Sequence, residues 1–278
     1  MKKCFVLLLA LAFLPLPSCT EEKDNLISVA ASEIPHAEIL ENAIKPLLED
    51  KGYELEIKVL DWTLQNDGVL NGDYDANYFQ HRPYLEQFDS GNNQYDPNYS
   101  YKKVFPVVSL HFEPLRIYPG KKDASEFEKS KKESTYEICN DVSNEIRALD
   151  LLKESGVIDS YTLDSKGNPI NLPENIKPIS ESLLISSLQD YDYAVLPTNT
   201  ALTGKLSASS TLPSEGEEVK DLRANVIAAN VNKYQNDETY KKKIDVLADA
   251  SLDASVAKFI DEHYQGVITV AQKDLRKA

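Results

Sequence analysis

The sequence predicts an α/β fold built as two lobes around a hinge, with a cleft between them. Two observations carry this. Strand-like and helix-like patterns alternate along the chain in two clusters, as in proteins that pack helices on a mostly parallel sheet. The chain also crosses between the clusters twice, near Glu113-Pro114 and near Asn225-Val226. Two crossings leave an interlobe cleft, and clefts between domains are favoured ligand sites. On this reading residues 26–112 and 226–278 form lobe 1, and residues 113–225 form lobe 2.

The elements follow in order. Leu26 to Ala31 is a short apolar run, the pattern of a buried parallel strand. Ser32-Glu33-Ile34-Pro35-His36 turns the chain into a helix whose face is Ile39, Leu40, Ala43, Ile44, Leu47 and Leu48, closed by Lys51-Gly52. Tyr53, Leu55, Ile57 and Val59 alternate with charged residues, which is strand periodicity. Strand, helix and strand with short joints make a βαβ unit. Residues 63–71 read as a short helix. Asp75 to Leu85 is an apolar run that ends in aromatic and imidazole side chains, after which Pro83 restarts the chain as a helix. Asp89 to Lys103 reads as a surface loop, and Val104 to Phe112 as a strand.

Beyond Glu113-Pro114, Leu115 to Tyr118 and Thr135 to Cys139 are strand-like, with a charged, exposed stretch from Ala124 to Lys132 between them. Asn140-Asp141 caps a helix bearing Ile146, Leu149 and Leu152, which Gly156 ends. Residues 160–175 are turn-rich. Ser180 starts another helix, Tyr191 to Leu196 is a strand running into Pro197-Thr198-Asn199, and residues 206–218 form a loop. Asn225 to Ala229 is again strand-like, and helices near 237–250 and 253–264 close the chain.

The first residues read as an export signal. Lys2 and Lys3 precede an apolar segment from Phe5 to Leu14, too short to span a bilayer as a helix. Leu16-Pro17-Ser18-Cys19 then resembles a bacterial lipobox. It implies that residues 1–18 are removed, that Cys19 carries acyl chains, and that residues 19–25 form a tether to the membrane. Of the three cysteines this leaves Cys139 alone, so no internal disulfide is expected. The net charge of −15 argues against nucleic acid as a partner. No Gly-X-Ser-X-Gly, phosphate loop or Rossmann glycine pattern points to an enzyme or a cofactor.

Three blocks carry a specific resemblance: Pro35-His36-Ala37-Glu38-Ile39, Asp75 to Leu85, and His111-Phe112-Glu113-Pro114. With Asn140-Asp141, Arg147-Ala148-Leu149 and Asn225-Val226-Ile227 they are similar, in order and spacing, to the MetQ/NlpA lipoprotein family from about Ile27 to Val270. The resemblance implies a two-lobed periplasmic-binding-protein-like fold. It also implies binding of L-methionine or a related amino acid or short peptide, delivered to an ABC permease. A free carboxylate is well held by a guanidinium fork, and Arg147 stands at the family's arginine. An apolar or thioether tail needs aromatic walls, which Trp62, Phe79 and Tyr84 can supply. His81 can hydrogen-bond the ligand or the hinge. Asn140, Asn199 and Asn225 complete the expected set, Asn225 matching an asparagine that holds the amino acid's backbone groups. The chain departs from the family's usual residues at Gln65-Asn66-Asp67, which stands for Pro-Asn-Gln, and at three further positions. Pro197 cannot offer the amide found there, with Asn199 as a substitute; Arg116 replaces a glycine near the hinge; and Trp62 replaces a tyrosine.

Each of these residues also fits a plainer role, as core packing or an exposed helix arginine. Two other readings stay open. The histidines are His36, His81, His111 and His263, and His36 with Glu38 and His81 could hold a metal ion, as in a metal-import lipoprotein, although the spacing is not that of a tight ligand set. A non-transport surface or adhesive lipoprotein would use the same residues as core.

Overall fold

The computed structural model describes residues 25–207 and 211–277. The predicted signal segment and Cys19 lie outside the described residues. Two sheets organise the rest. The larger contains β1 (Leu26–Ala31), β2 (Glu54–Val59), β3 (Ala76–His81), β4 (Val104–Phe112), β11 (Ala224–Asn230) and β12 (Thr269–Asp274), in the order β12-β4-β11-β3-β1-β2. The smaller contains β5 (Arg116–Pro119), β6 (Tyr136–Cys139), β9 (Ile176–Ile179) and β10 (Tyr193–Leu196), in the order β5-β10-β6-β9. A hairpin of β7 (Thr162–Leu163) and β8 (Pro169–Ile170) stands apart from both.

β1 pairs in parallel with β2 and with β3, while β4, β11 and β12 join antiparallel. β11 lies between β3 and β4, so the chain returns from the smaller sheet into the middle of the larger one. In the smaller sheet β6 is parallel to both β9 and β10, and β5 is antiparallel to β10. The connection from β4 to β5 and the entry into β11 are therefore the two crossings between the sheets.

Both sheets are covered on both faces, which the alternation of side chains along a strand makes visible. From β11, Ile227 and Ala229 join one apolar cluster with Ile27, Leu40, Leu247 and Ile260, while Val226 and Ala228 join another with Val69 and Leu85. From β10, Tyr193 and Val195 pack with Leu149 and Leu152, while Ala194 and Leu196 pack with Leu184 and Ala201. Burial on both faces is why β1 and β10 read as continuous apolar runs. β2 is an edge strand, and its exposed Glu54, Glu56 and Lys58 keep that edge charged.

Some elements differ from the sequence expectation. The first helix is three successive segments, Glu33–Ala37, Leu40–Ile44 and Lys45–Glu49, beginning in wide turns such as Ala37 N to Ser32 O. β9 and β12 were not expected: both are edge strands carrying Lys177 and Pro178, or Gln272 and Lys273, and lack a clear apolar period. Thr198–Thr203 forms a short helix that the sequence reading did not assign. The stretch from Ala124 to Lys132 is not wholly exposed, because Phe127 is buried edge-on against Tyr193.

Candidate functional site

The parallel strands β1 and β3 of one sheet, and β6 and β10 of the other, all end at the same gap. Ligands of open α/β sheets bind outside the carboxyl ends of the strands, and the lining residues come from those ends. Ser32 follows β1, Phe79 to His81 finish β3, Glu113 follows β4, and Pro197 and Asn199 follow β10. Asn144 and Arg147 come from the helix Val142–Glu154 that follows β6, and Asn225 from the start of β11. The gap encloses about 490 Å3 of empty space, its open mouth included.

One wall is aromatic. Trp62 lies 5.3 Å from Tyr84 and 6.5 Å from Phe79, centroid to centroid, and Phe79 lies 5.8 Å from Tyr84. Local structure fixes each ring. Trp62 opens a helix capped by Asp61, which accepts from Thr63 N, and Gly72 ends that helix at φ 87°. Tyr84 lies in the first turn of the helix Arg82–Ser90, with Pro83 setting its start. Behind the rings Asn66, Asn77 and Gln80 bond one another at 2.7–2.9 Å and hold the end of β3 rigid.

His81 caps that second helix and reaches across the cleft. Its Nδ1 accepts from Tyr84 N at 3.3 Å. Burial, with Arg223 and Arg147 nearby, holds its pKa well below the usual value, so the ring is neutral. The remaining proton must then sit on Nε2, where it donates to Asn144 Oδ1 at 3.2 Å. Asn144 Nδ2 donates in turn to Asp141 Oδ2 at 3.0 Å, which fixes the amide's orientation. The His81–Asn144 bond joins the two lobes. Asn199 N donates to Glu113 Oε2 at 2.8 Å, which ties the turn after β10 to the hinge segment.

Arg147 lines the cleft but is not free. Its Nε donates to Glu215 Oε1 at 2.6 Å, and its Nη2 donates to Glu215 Oε2 and to the Glu113 carbonyl, both at 2.5 Å. Glu215 Oε2 also accepts from Leu115 N at 2.7 Å. The pair is buried and pins the guanidinium to the hinge segment 113–115. Only the Nη1 edge remains for a ligand carboxylate.

At the hinge His111 Nε2 donates to Glu113 Oε1 at 2.7 Å, and Tyr78 OH bonds His111 Nδ1. His36 Nε2 lies 3.1 Å from Asn225 Oδ1 and 3.3 Å from Glu113 Oε1. Burial lowers the His36 pKa to about 4, against the pull of Glu113. Burial pushes the Glu113 carboxyl up, but His111, His36 and the Asn199 N–H outweigh it and leave the net pKa below the usual range. Among the described residues His36, His111 and Glu113 are the group that could hold a metal ion, their ligand atoms lying within 4.8 Å of one another. The grouping expected from sequence is not assembled, since Glu38 instead accepts from Tyr264 OH at 2.7 Å.

Of the expected site residues, Trp62, Phe79, His81, Tyr84, Arg147, Asn199 and Asn225 line the cleft. Asn140 does not: it is exposed, and its backbone N–H bonds Ile179 O. Asp141 is the cap of the following helix, so Asn144, one turn on, takes the place expected of Asn140. Of the three further family departures, Pro197 and Trp62 face the cleft, whereas Arg116 lies in β5 beside Ser214, outside the lining. Sequence reasoning missed Asn144, Glu181 and Glu215. Asn144 was legible from the 3–4 residue spacing that puts it on the same helical face as Arg147. Glu181 opens a short helix whose sequence gives no reason to aim it at the cleft, and Glu215 lies in an irregular segment with no periodicity to place it.

Residues 27–271 match the family model described as NlpA lipoprotein. The chain is 32% identical to the methionine-binding lipoprotein MetQ of Bacillus subtilis, covering 96% of this chain and 98% of that one. Among solved structures, a lipoprotein from Ruminococcus gnavus superposes with TM-score 0.73 at 30% identity, covering 89% of this chain and 99% of the other. A methionine-binding lipoprotein from Bacillus subtilis superposes with TM-score 0.72 at 28% identity, covering 90% and 99%. With the fold, the two crossings and the cleft in agreement, the chain belongs to the NlpA lipoprotein family.

Proposed function

We propose that this protein is an extracytoplasmic solute-binding lipoprotein that delivers L-methionine or a related amino acid or short peptide to an ABC transporter. The observation that carries the reading is the composition of one interlobe cleft. Three aromatic rings face a guanidinium edge and three amides, Asn144, Asn199 and Asn225. A zwitterion with an apolar tail can use those groups: the free guanidinium edge for its carboxylate, amides for its polar atoms, rings for its tail. The groups come from both lobes, so a ligand that touches both stabilises the closed form, and the closed form is the one a permease can distinguish. The relatives' names point the same way. Cys19 in its lipobox supplies the membrane anchor.

Thermal unfolding against the amino acids and methionine dipeptides tests this. A saturable rise in transition temperature with an amino acid or dipeptide supports the reading, since a ligand that binds only the folded state stabilises it by mass action. A rise with zinc or manganese alone would favour the second reading, which rests on the His36, His111 and Glu113 group and on His36 Nδ1, buried without a hydrogen-bond partner among the described residues. Cys19→Ser should release the protein from membranes, and retention would count against the anchor.

A further inference from the structure

The cleft continues past its aromatic wall. Glu181 opens the helix Glu181–Ser187 on the smaller lobe, and its side chain lines the same space as Trp62, Phe79 and Tyr84. Beyond Trp62 and Glu181 lies a second depression of about 680 Å3, its open mouth included, which shares Trp62, Glu181 and Asn199 with the first. The ionisable side chains of that depression are Asp61 and Glu181, both acids.

Among the described residues no Lys, Arg or His pairs with Glu181. Its Oε1 accepts from Thr200 Oγ1 at 2.7 Å. The charged groups around it are Asp141, Glu113 and Asp61, all acidic, with the Tyr84 hydroxyl and the Cys139 thiol also near. The cation nearest in function, Arg147, is committed to Glu215. A neutral tail seated between the rings would strip water from this carboxylate and return nothing to it. A positive group in the same place would meet a carboxylate on one side and aromatic faces on the other, the surroundings in which cations are held most strongly.

We propose that the outer part of this cleft selects a ligand with a positively charged end, an ammonium or a sulfonium, and that Glu181 is the specificity-determining residue. The inference rests on the amino-acid-binding reading and narrows its substrate class. The charged end can belong to a side chain or to the free amino terminus of a dipeptide. Burial, with the repulsion of Asp141, Glu113 and Asp61, pushes the Glu181 carboxyl up to about 7, against the Thr200 hydrogen bond. A ligand whose charge persists across this range, a sulfonium or a lysine side chain, therefore favours the ionised form, and preference for it grows as pH rises from about 6 to about 8; a peptide amino terminus, titrating near about 8, gains less.

The test is calorimetric titration of the full chain with L-methionine, S-methyl-L-methionine, L-lysine and glycyl-L-methionine at both pH values, in the parent and in Glu181→Gln. S-methyl-L-methionine adds a fixed positive charge to the same skeleton. At the higher pH at least one of the three ligands that can place a positive group beyond the methionine backbone is expected to bind about tenfold more tightly than methionine. Preference for the sulfonium or lysine places the charge on a side chain, and preference for the dipeptide alone places it on an amino terminus. In Glu181→Gln, which keeps the side chain's shape, the ratio is expected to fall to within about threefold, and in the parent it is expected to shrink at the lower pH. Methionine binding as tightly as every cationic ligand overturns the inference and leaves the amino-acid reading intact. A ratio unchanged by Glu181→Gln and by pH overturns the role of Glu181. Failure of all four ligands to bind overturns both.

Discussion

The Arg147–Glu215 pair gives the sharpest stability test. Both side chains are buried, at 4% and 8% exposed, and joined by two short charge-assisted bonds. Arg147→Ala leaves the Glu215 carboxylate buried with only Leu115 N as a partner. Glu215→Ala leaves the guanidinium buried against the Glu113 carbonyl. Breaking a buried pair from one side costs about 3–5 kcal/mol, because the surviving charge is uncompensated. Removing both charges costs far less than the sum, so the two substitutions are expected to couple by about 2–3 kcal/mol. Urea unfolding of the ligand-free protein measures this, with each single variant losing about 1–2 M of midpoint. Coincident fluorescence and circular dichroism transitions would license the two-state treatment in a two-lobed chain. Single-variant losses below about 1 kcal/mol, or losses that simply add, would show that the pair is not the hinge anchor described above.

Other predictions follow from the same geometry. Trp62 is the chain's one tryptophan and lines the cleft, so intrinsic fluorescence should change saturably with ligand; a ligand that binds by calorimetry without a fluorescence change would place the site elsewhere. The His36 pKa is lowered, so its contribution to stability is complete above the ordinary histidine range and is lost as pH falls from about 6.5 to about 4. That window is worth roughly 3 kcal/mol, and His36→Gln should flatten the stability–pH curve there; an unchanged slope would refute the buried neutral imidazole. A Cβ on Gly120 would lie 2.3 Å from Tyr191 O and 2.5 Å from Leu188 O, both backbone atoms. Gly120→Ala should therefore cost about 1–3 kcal/mol in chemical denaturation, and a neutral result would mean that this turn is looser than drawn.

The elements that could be read from sequence were those with strong local patterns. β1 and β10 were legible as short, mostly apolar runs, and the helices from Glu238 and Ala254 by their 3.6-residue period. β12 and β9 did not, because an edge strand needs one buried neighbour rather than an apolar period. The block ending in Phe79-Gln80-His81 was expected as a wall chiefly from its resemblance to the family, because aromatic and imidazole residues at the end of a strand also suit plain core packing. Asn140 was misplaced by one helical turn because capping residues and lining residues share the same polar composition.

The sequence by itself determined the α/β class and the elements with strong local patterns, because periodicity and turn chemistry act over a few residues. Only the tertiary structure decided what occupies the guanidinium of Arg147, which atom of His81 carries the proton, and that Glu181 faces the rings without a cation. Those facts join residues separated in sequence by 68, 63 and about a hundred positions, and no local pattern records them. They follow from desolvation and pairing inside the cleft, and these exist only once two sheets have closed around the same space.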